Sequence, residues 1–282
     1  MSDPQAIGDY KVARKLGVGL MGPVYLGTFQ GAYWALRVIN DNMVRHTNTV
    51  GKLVGDVMHD SLVRYKEMGA DSTVGGFLST DYVDAKQIGR DALAGLSSAQ
   101  RLEFVCNLLE GVNFLHGRGA VHGCIKRSNV LLRGKDKNIQ GLLIDAGLVY
   151  VPSQGNDFKL LRRAYPTMAP ELIRAYIGGD RKAIDAALTA PIDVYGAGML
   201  VAEVFSGRVF FDDARSIDEL LKLKTSTRIE MSGVNSPHPH LDLASLNRAV
   251  AAATASDPGS RPTIRDFIDQ VKACALEKEE AA

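Results

Sequence analysis

Val121–Leu132 reads VHGCIKRSNVLL. The ammonium of Lys126 and the carboxamide of Asn129 stand three residues apart, His122 precedes them, and an apolar run starts at Val130. At the centre is Cys124, which can be read as a nucleophile or as a small packing residue. A reactive thiolate wants positive charge nearby, and Lys126 is placed to supply some. A structural cysteine behaves as a small hydrophobe. The choice between the two depends on the rest of the chain.

The 282 residues suffice for one large domain or two modest lobes, with 46% hydrophobic residues to build a core. Charged residues make up 23% and the net charge is +1, which leaves no electrostatic footprint for nucleic acid or an anionic membrane. No apolar run approaches the roughly 18 residues of a membrane span. The amino end, MSDPQAIGDY, lacks the basic and apolar regions of a signal peptide. Cys106, Cys124 and Cys274 show no metal-type spacing; a reduced, cytoplasmic setting is the expectation.

DYKVARKLG, GPVYLGTF and AYWALRVIN read as strands joined by Gly-rich turns, and strand-like pieces return at SLVRYKEMGA and VGGFLSTDYV. After about residue 96 the period changes. SSAQRLEFVCNLLEGVNFLHGRG has a capping serine, then apolar residues at Leu102, Val105, Leu108, Leu109, Val112 and Leu115, as an amphipathic helix requires. Further helices are predicted over 169–177, 181–188, 193–206, 216–223, 242–255 and 263–277. A β-rich amino third and a helical remainder predict two lobes.

Gly17, Gly19, Gly22 and Val24 form GxGxxGxV between two strands, which disfavours a dinucleotide-binding unit. WALRVI, FLSTDYV, HGCIKRSN, IDAGLV, TMAPELI, PIDVYGAGMLVAEVFSG and DPGSRPT follow in order. With these motifs the chain resembles the eukaryotic-type Ser/Thr protein kinase family, including its bacterial members. The resemblance implies an α+β, bilobal protein kinase-like fold with a small β-rich N-lobe and a larger helical C-lobe. Its expected boundaries are an N-terminal tail over 1–9, a domain over 10–277 and an acidic tail over 278–282. Within the domain the N-lobe covers about 10–83, the hinge about 81–86 and the C-lobe about 87–277. It also implies that Asp193 braces the loop at 121–129 and that Arg261 pairs with Glu171.

The resemblance assigns nucleotide contacts to Gly17, Gly19, Gly22, Val24, Ala35 and Arg37, with Asp81 and Val83 in the hinge and Thr80 just before it. Asp145 and Asn129 stand at the metal-binding positions, and Lys126 at that of the lysine that steadies the transferred phosphate. Other parts are altered. Arg37 replaces the phosphate-anchoring lysine, a compact ammonium exchanged for a planar fork. The partner glutamate falls near Val50, and residues 42–55 contain no Asp or Glu. Cys124 replaces the aspartate that accepts the substrate proton. An ordinary thiol titrates near about 8.5 and makes weak hydrogen bonds, so it cannot orient a hydroxyl as a carboxylate does. Gly123 replaces an arginine that grips phosphorylated activation loops, so phosphorylation of Ser153, Tyr165 or Thr167 is expected to gain little by that route. Ala146 replaces a packing phenylalanine.

These changes agree in direction. The expectation is a catalytically inactive kinase homologue, a pseudokinase, that acts as a regulatory or scaffolding protein-binding module. Cys124 is then a packing residue and no catalytic residue is expected. ATP and Mg²⁺ bind weakly or not at all, with Arg37 turned onto Asp145. The alternative is an atypical phosphotransferase or nucleotidyl transferase that uses Asp145 and Asn129. Glu171 and Asp193 are 22 residues apart, against about a dozen in the family. The added stretch, 174–190, reads as a longer solvated loop or, with the activation segment, as a docking element for a protein partner, adding roughly three helical turns.

Overall fold

The computed structural model describes residues 3–19, 22–39, 58–87, 93, 95–134, 139–147, 165–231 and 240–276. Val50, where the partner glutamate of the family falls, the surrounding residues 42–55 and Ser153 lie outside the described residues.

The small lobe is an antiparallel sheet of six strands: β1 (Ala6–Ile7), β2 (Tyr10–Gly19), β3 (Gly22–Phe29), β4 (Ala32–Ile39), β5 (Tyr65–Asp71) and β6 (Gly75–Asp81). Their order across the sheet is β1-β2-β3-β4-β6-β5. Gln30 and Gly31, both at positive φ (49° and 78°), close the β3–β4 hairpin in two residues, the turn whose twist matches that of its strands. Gly22 has φ 117°, and a Cβ there would lie 2.8 Å from the Val38 carbonyl oxygen; only glycine lets β3 start this close to β4. One face of the sheet packs Tyr10 among Trp34, Phe77, Ile7 and Leu36.

The expected tail over 1–9 is in part an element of this lobe. β1 pairs with β2, Ile7 is fully buried, and Asp3 accepts from Lys15 Nζ (3.1 Å) and Tyr25 Oη (3.2 Å).

Residues 82–85 lead to a three-stranded sheet of β7 (Lys86–Gln87), β8 (Val130–Arg133) and β9 (Gln140–Leu143). Helix α1 (Ser98–His116) starts in a full capping box between Ser97 and Gln100. Helices α2 (Pro170–Gly178), α3 (Arg181–Ala187), α4 (Ala190–Ser206), α5 (Ile217–Ser226), α6 (Leu243–Ala253) and α7 (Ile264–Lys272) complete the large lobe. Buried from Ile192 to Phe205, α4 is apolar nearly all round and forms the centre of the lobe. At Gly198 a Cβ would meet the Ala253 and Thr254 side chains at 2.9 and 2.8 Å, so glycine sets how closely α4 and α6 approach.

The added stretch 174–190 is not a longer solvated loop but largely helical, as predicted for 181–188. It holds the end of α2 and forms α3, about two turns. The carboxylate of Asp180 caps α3 by accepting from the Lys182 N–H, while Tyr176 and Ile184 are buried. Among the described residues no helix is long and apolar enough to cross a membrane.

Candidate functional site

The site forms where the loop between α1 and β8 faces the small-lobe sheet. Asp193, in the first turn of α4 and 1% exposed, holds that loop by its backbone. Its carboxylate accepts from the His122 N–H (2.7 Å) and the Gly123 N–H (2.8 Å), with His116 Nε2 3.0 Å away. This is the brace implied by the resemblance. His122 is buried, and desolvation holds its imidazole below the ordinary range against the opposing pull of Asp193, which keeps the ring neutral.

Beyond the brace, Asn129 ends a short 3₁₀ turn (Arg127–Asn129) and is buried. Its carboxamide donates to the Cys124 carbonyl (2.9 Å), and its own carbonyl accepts from the Ile144 N–H (2.9 Å). The Cys124 N–H reaches His122 Nδ1 at 3.3 Å, and the thiol is half-buried. Thus the main chain of residue 124 shapes the loop, while its side chain brings no carboxylate to the cleft.

Residues 144–147 carry the central feature. Arg37, in β4 between Val24 of β3 and Leu78 of β6, reaches across the cleft. Its Nε donates to Asp145 Oδ1 (2.8 Å) and its Nη2 to Oδ2 (2.7 Å), a two-point fork with both side chains largely buried. A divalent cation on those oxygens would share them with a guanidinium, and two like charges a few ångströms apart repel strongly in a partly dry cleft. As arranged, Asp145 does not fit the cation expected of it.

In the hinge, Thr80 pairs with Ala35, and Asp81 is held by Arg64 (2.9 and 3.2 Å). The Val83 carbonyl accepts from the Ala85 N–H. Gly17 pairs with Val24, and Gly19 with Gly22, in the hairpin above the cleft. Lys126 precedes the 3₁₀ turn, half-buried. At the far end Arg261 donates to both oxygens of Glu171 (2.6 and 2.8 Å) and to the carbonyls of Pro191 and Ala255, joining the 169–171 corner to the α4 entry.

Two groups carry no signal in sequence. Tyr65, at the head of β5, donates its hydroxyl to the Ala146 carbonyl. Lys224 in α5 is 2% exposed, donates to the Pro166 carbonyl (2.6 Å), and lies over the rings of Tyr195 and Phe211. Neither interrupts a helix or strand period, which is the only local signal available.

A small β-rich lobe set over a larger helical one, with this cleft between them, defines the class as a bilobal kinase-like fold. The family model described as "Protein kinase domain" matches residues 10–271, and the chain belongs to that family. It is 24% identical to Mitogen-activated protein kinase kinase kinase 1 of Arabidopsis thaliana over 93% of this chain and 42% of that protein. It is 25% identical to the serine/threonine-protein kinase pkn2 of Myxococcus xanthus over 73% of this chain and 25% of that protein. The chain therefore spans less than half the length of either relative. The crystal structure of the Mycobacterium tuberculosis PknI kinase domain superposes with a TM-score of 0.71 at 22% identity, covering 98% of this chain and 100% of that one.

Proposed function

We propose that this chain is a pseudokinase: a protein kinase domain that has lost phosphoryl transfer and acts as a regulatory or scaffolding module for a protein partner, in the cytoplasm. The observation that carries this reading is the Arg37–Asp145 fork. Phosphoryl transfer is positioning plus charge neutralisation, and here the carboxylate that would hold the metal is neutralised from within the chain. Cys124 supports the reading independently, because no carboxylate stands at that position to take a hydroxyl proton. With the metal position filled, nucleotide binds weakly or not at all.

The test is a radiolabelled ATP assay with generic protein substrates, run beside a thermal-shift titration with ATP and Mg²⁺. The expected result is no turnover, an identical trace for Asp145→Ala, and a melting temperature that stays flat with nucleotide. Asp145-dependent turnover would overturn the proposal and favour the transferase alternative. A dose-dependent rise in melting temperature would show that the cleft takes nucleotide despite the fork.

A further inference from the structure

Asp145 adopts φ 63°, the left-handed region, which among non-glycine residues aspartate enters more readily than most. Three hydrogen bonds fix the backbone around it. From the large lobe, the Ile144 N–H donates to the Asn129 carbonyl (2.9 Å) and the Gly147 N–H to the His122 carbonyl (2.8 Å). The third restraint comes from the small lobe, as the Tyr65 hydroxyl donates to the carbonyl of Ala146.

The chain delivers Tyr65 to that point by pairing. Leu62 bridges Leu143 in parallel, with the Leu143 N–H donating to the Ser61 carbonyl (2.8 Å) and the Val63 N–H to the Leu143 carbonyl (3.1 Å). Tyr65 lies two residues beyond Val63 and Ala146 three beyond Leu143, so the two run side by side. The ring packs with Ile39, Leu78, Leu115, Ala120 and Ala146. An aromatic side chain at 146 would compete for this volume, whereas the alanine methyl leaves it to the tyrosine. The ring is buried, and desolvation raises its phenol well above the usual range, so the hydroxyl remains a donor at any physiological pH.

We propose that Tyr65 is a latch on the cleft: it fixes the 144–147 backbone so that Asp145 faces Arg37, and thereby sets how far the cleft is closed to a metal–nucleotide. This deepens the pseudokinase reading and rests on it. A ligand that needs the open arrangement binds with an apparent affinity reduced by the open fraction. One neutral hydrogen bond shifts such a balance by about two- to tenfold.

The experiment compares the full chain with Tyr65→Phe, Arg37→Ala and the double variant. Mg-ADP binding is measured by calorimetry, and amide exchange of 144–147 is measured without ligand. Tyr65→Phe is expected to speed exchange at Ala146 and Gly147 and to tighten Mg-ADP about two- to tenfold. Arg37→Ala is expected to tighten it further, and on that background Tyr65→Phe adds nothing, since no fork remains to hold. Unchanged exchange and affinity in Tyr65→Phe, with a gain in Arg37→Ala, would overturn the latch and leave the self-blocked cleft standing. A parent chain that binds Mg-ADP as tightly as Arg37→Ala would overturn the self-blocked cleft itself. Should Tyr65→Phe not fold, Tyr65→Met, which also lacks the hydroxyl, carries the same comparison.

Discussion

Asp193 shows how one side chain can position a whole loop through its backbone. Two backbone N–H groups and an imidazole converge on a carboxylate that is 1% exposed. Truncation leaves those donors buried and unpaired, and each unsatisfied group costs about 1–3 kcal/mol. Asp193→Ala is therefore expected to lower the unfolding free energy by on the order of 3 kcal/mol, read from urea denaturation. A loss below about 0.5 kcal/mol would mean that the loop has other support. Cys124 differs in this respect, since the contacts found at that residue are those of its backbone amide and carbonyl.

Among the elements, α3 matches expectation closely, since a helix predicted over 181–188 is found at Arg181–Ala187. Sequence spacing marks an insertion between Glu171 and Asp193, and the structure turns it into a capped helix with Ile184 in the core. Its outer side chains, Lys182, Asp185 and Ala186, are exposed. A partner that docks on this added element would meet those residues. Reversing charge with Lys182→Glu and Asp185→Lys is expected to abolish capture of that partner. Stability should stay within about 0.5 kcal/mol, as for surface changes elsewhere. If both variants retained the partner, the docking surface would lie on another element. Helix boundaries were legible to within a few residues because caps and period coincide: Ser97 and Gln100 at α1, Asp242 and Thr263 before α6 and α7.

Over the whole molecule, the large lobe hides charge beneath the corner at 165–171. Glu203 in α4 is 3% exposed, and burial pushes its carboxyl up to about 7, opposed by the charges of Arg127 and Lys224. Burial likewise holds the Lys224 amine well below its ordinary value, against the pull of Glu203. For Glu203 the folded state binds the proton more tightly than the unfolded chain, whose carboxyl titrates near its ordinary 4.5. Its stabilising share is therefore fully present below about pH 4.5 and is lost as pH rises through about 7. Glu203→Gln lacks this loss. The melting temperature of the variant relative to the parent is expected to climb between pH 4.5 and 7.5, by the equivalent of about 1–3 kcal/mol. A pH-independent difference would show that Glu203 ionises freely in the fold.

The sequence alone determined the two-lobed fold and the missing parts, because alternation, helical period, caps and motif order are local properties. It shows by residue type alone that position 124 has no carboxylate and position 146 no aromatic ring. Only the tertiary structure decided what took their place. The turn of Arg37 onto Asp145 is expected from the missing glutamate and is met across 108 residues, but Tyr65 meeting Ala146 across 81 and residues 3–9 joining the sheet are not. Such contacts depend on where strands and loops bring side chains together in space, and no periodicity within a strand or helix encodes that direction.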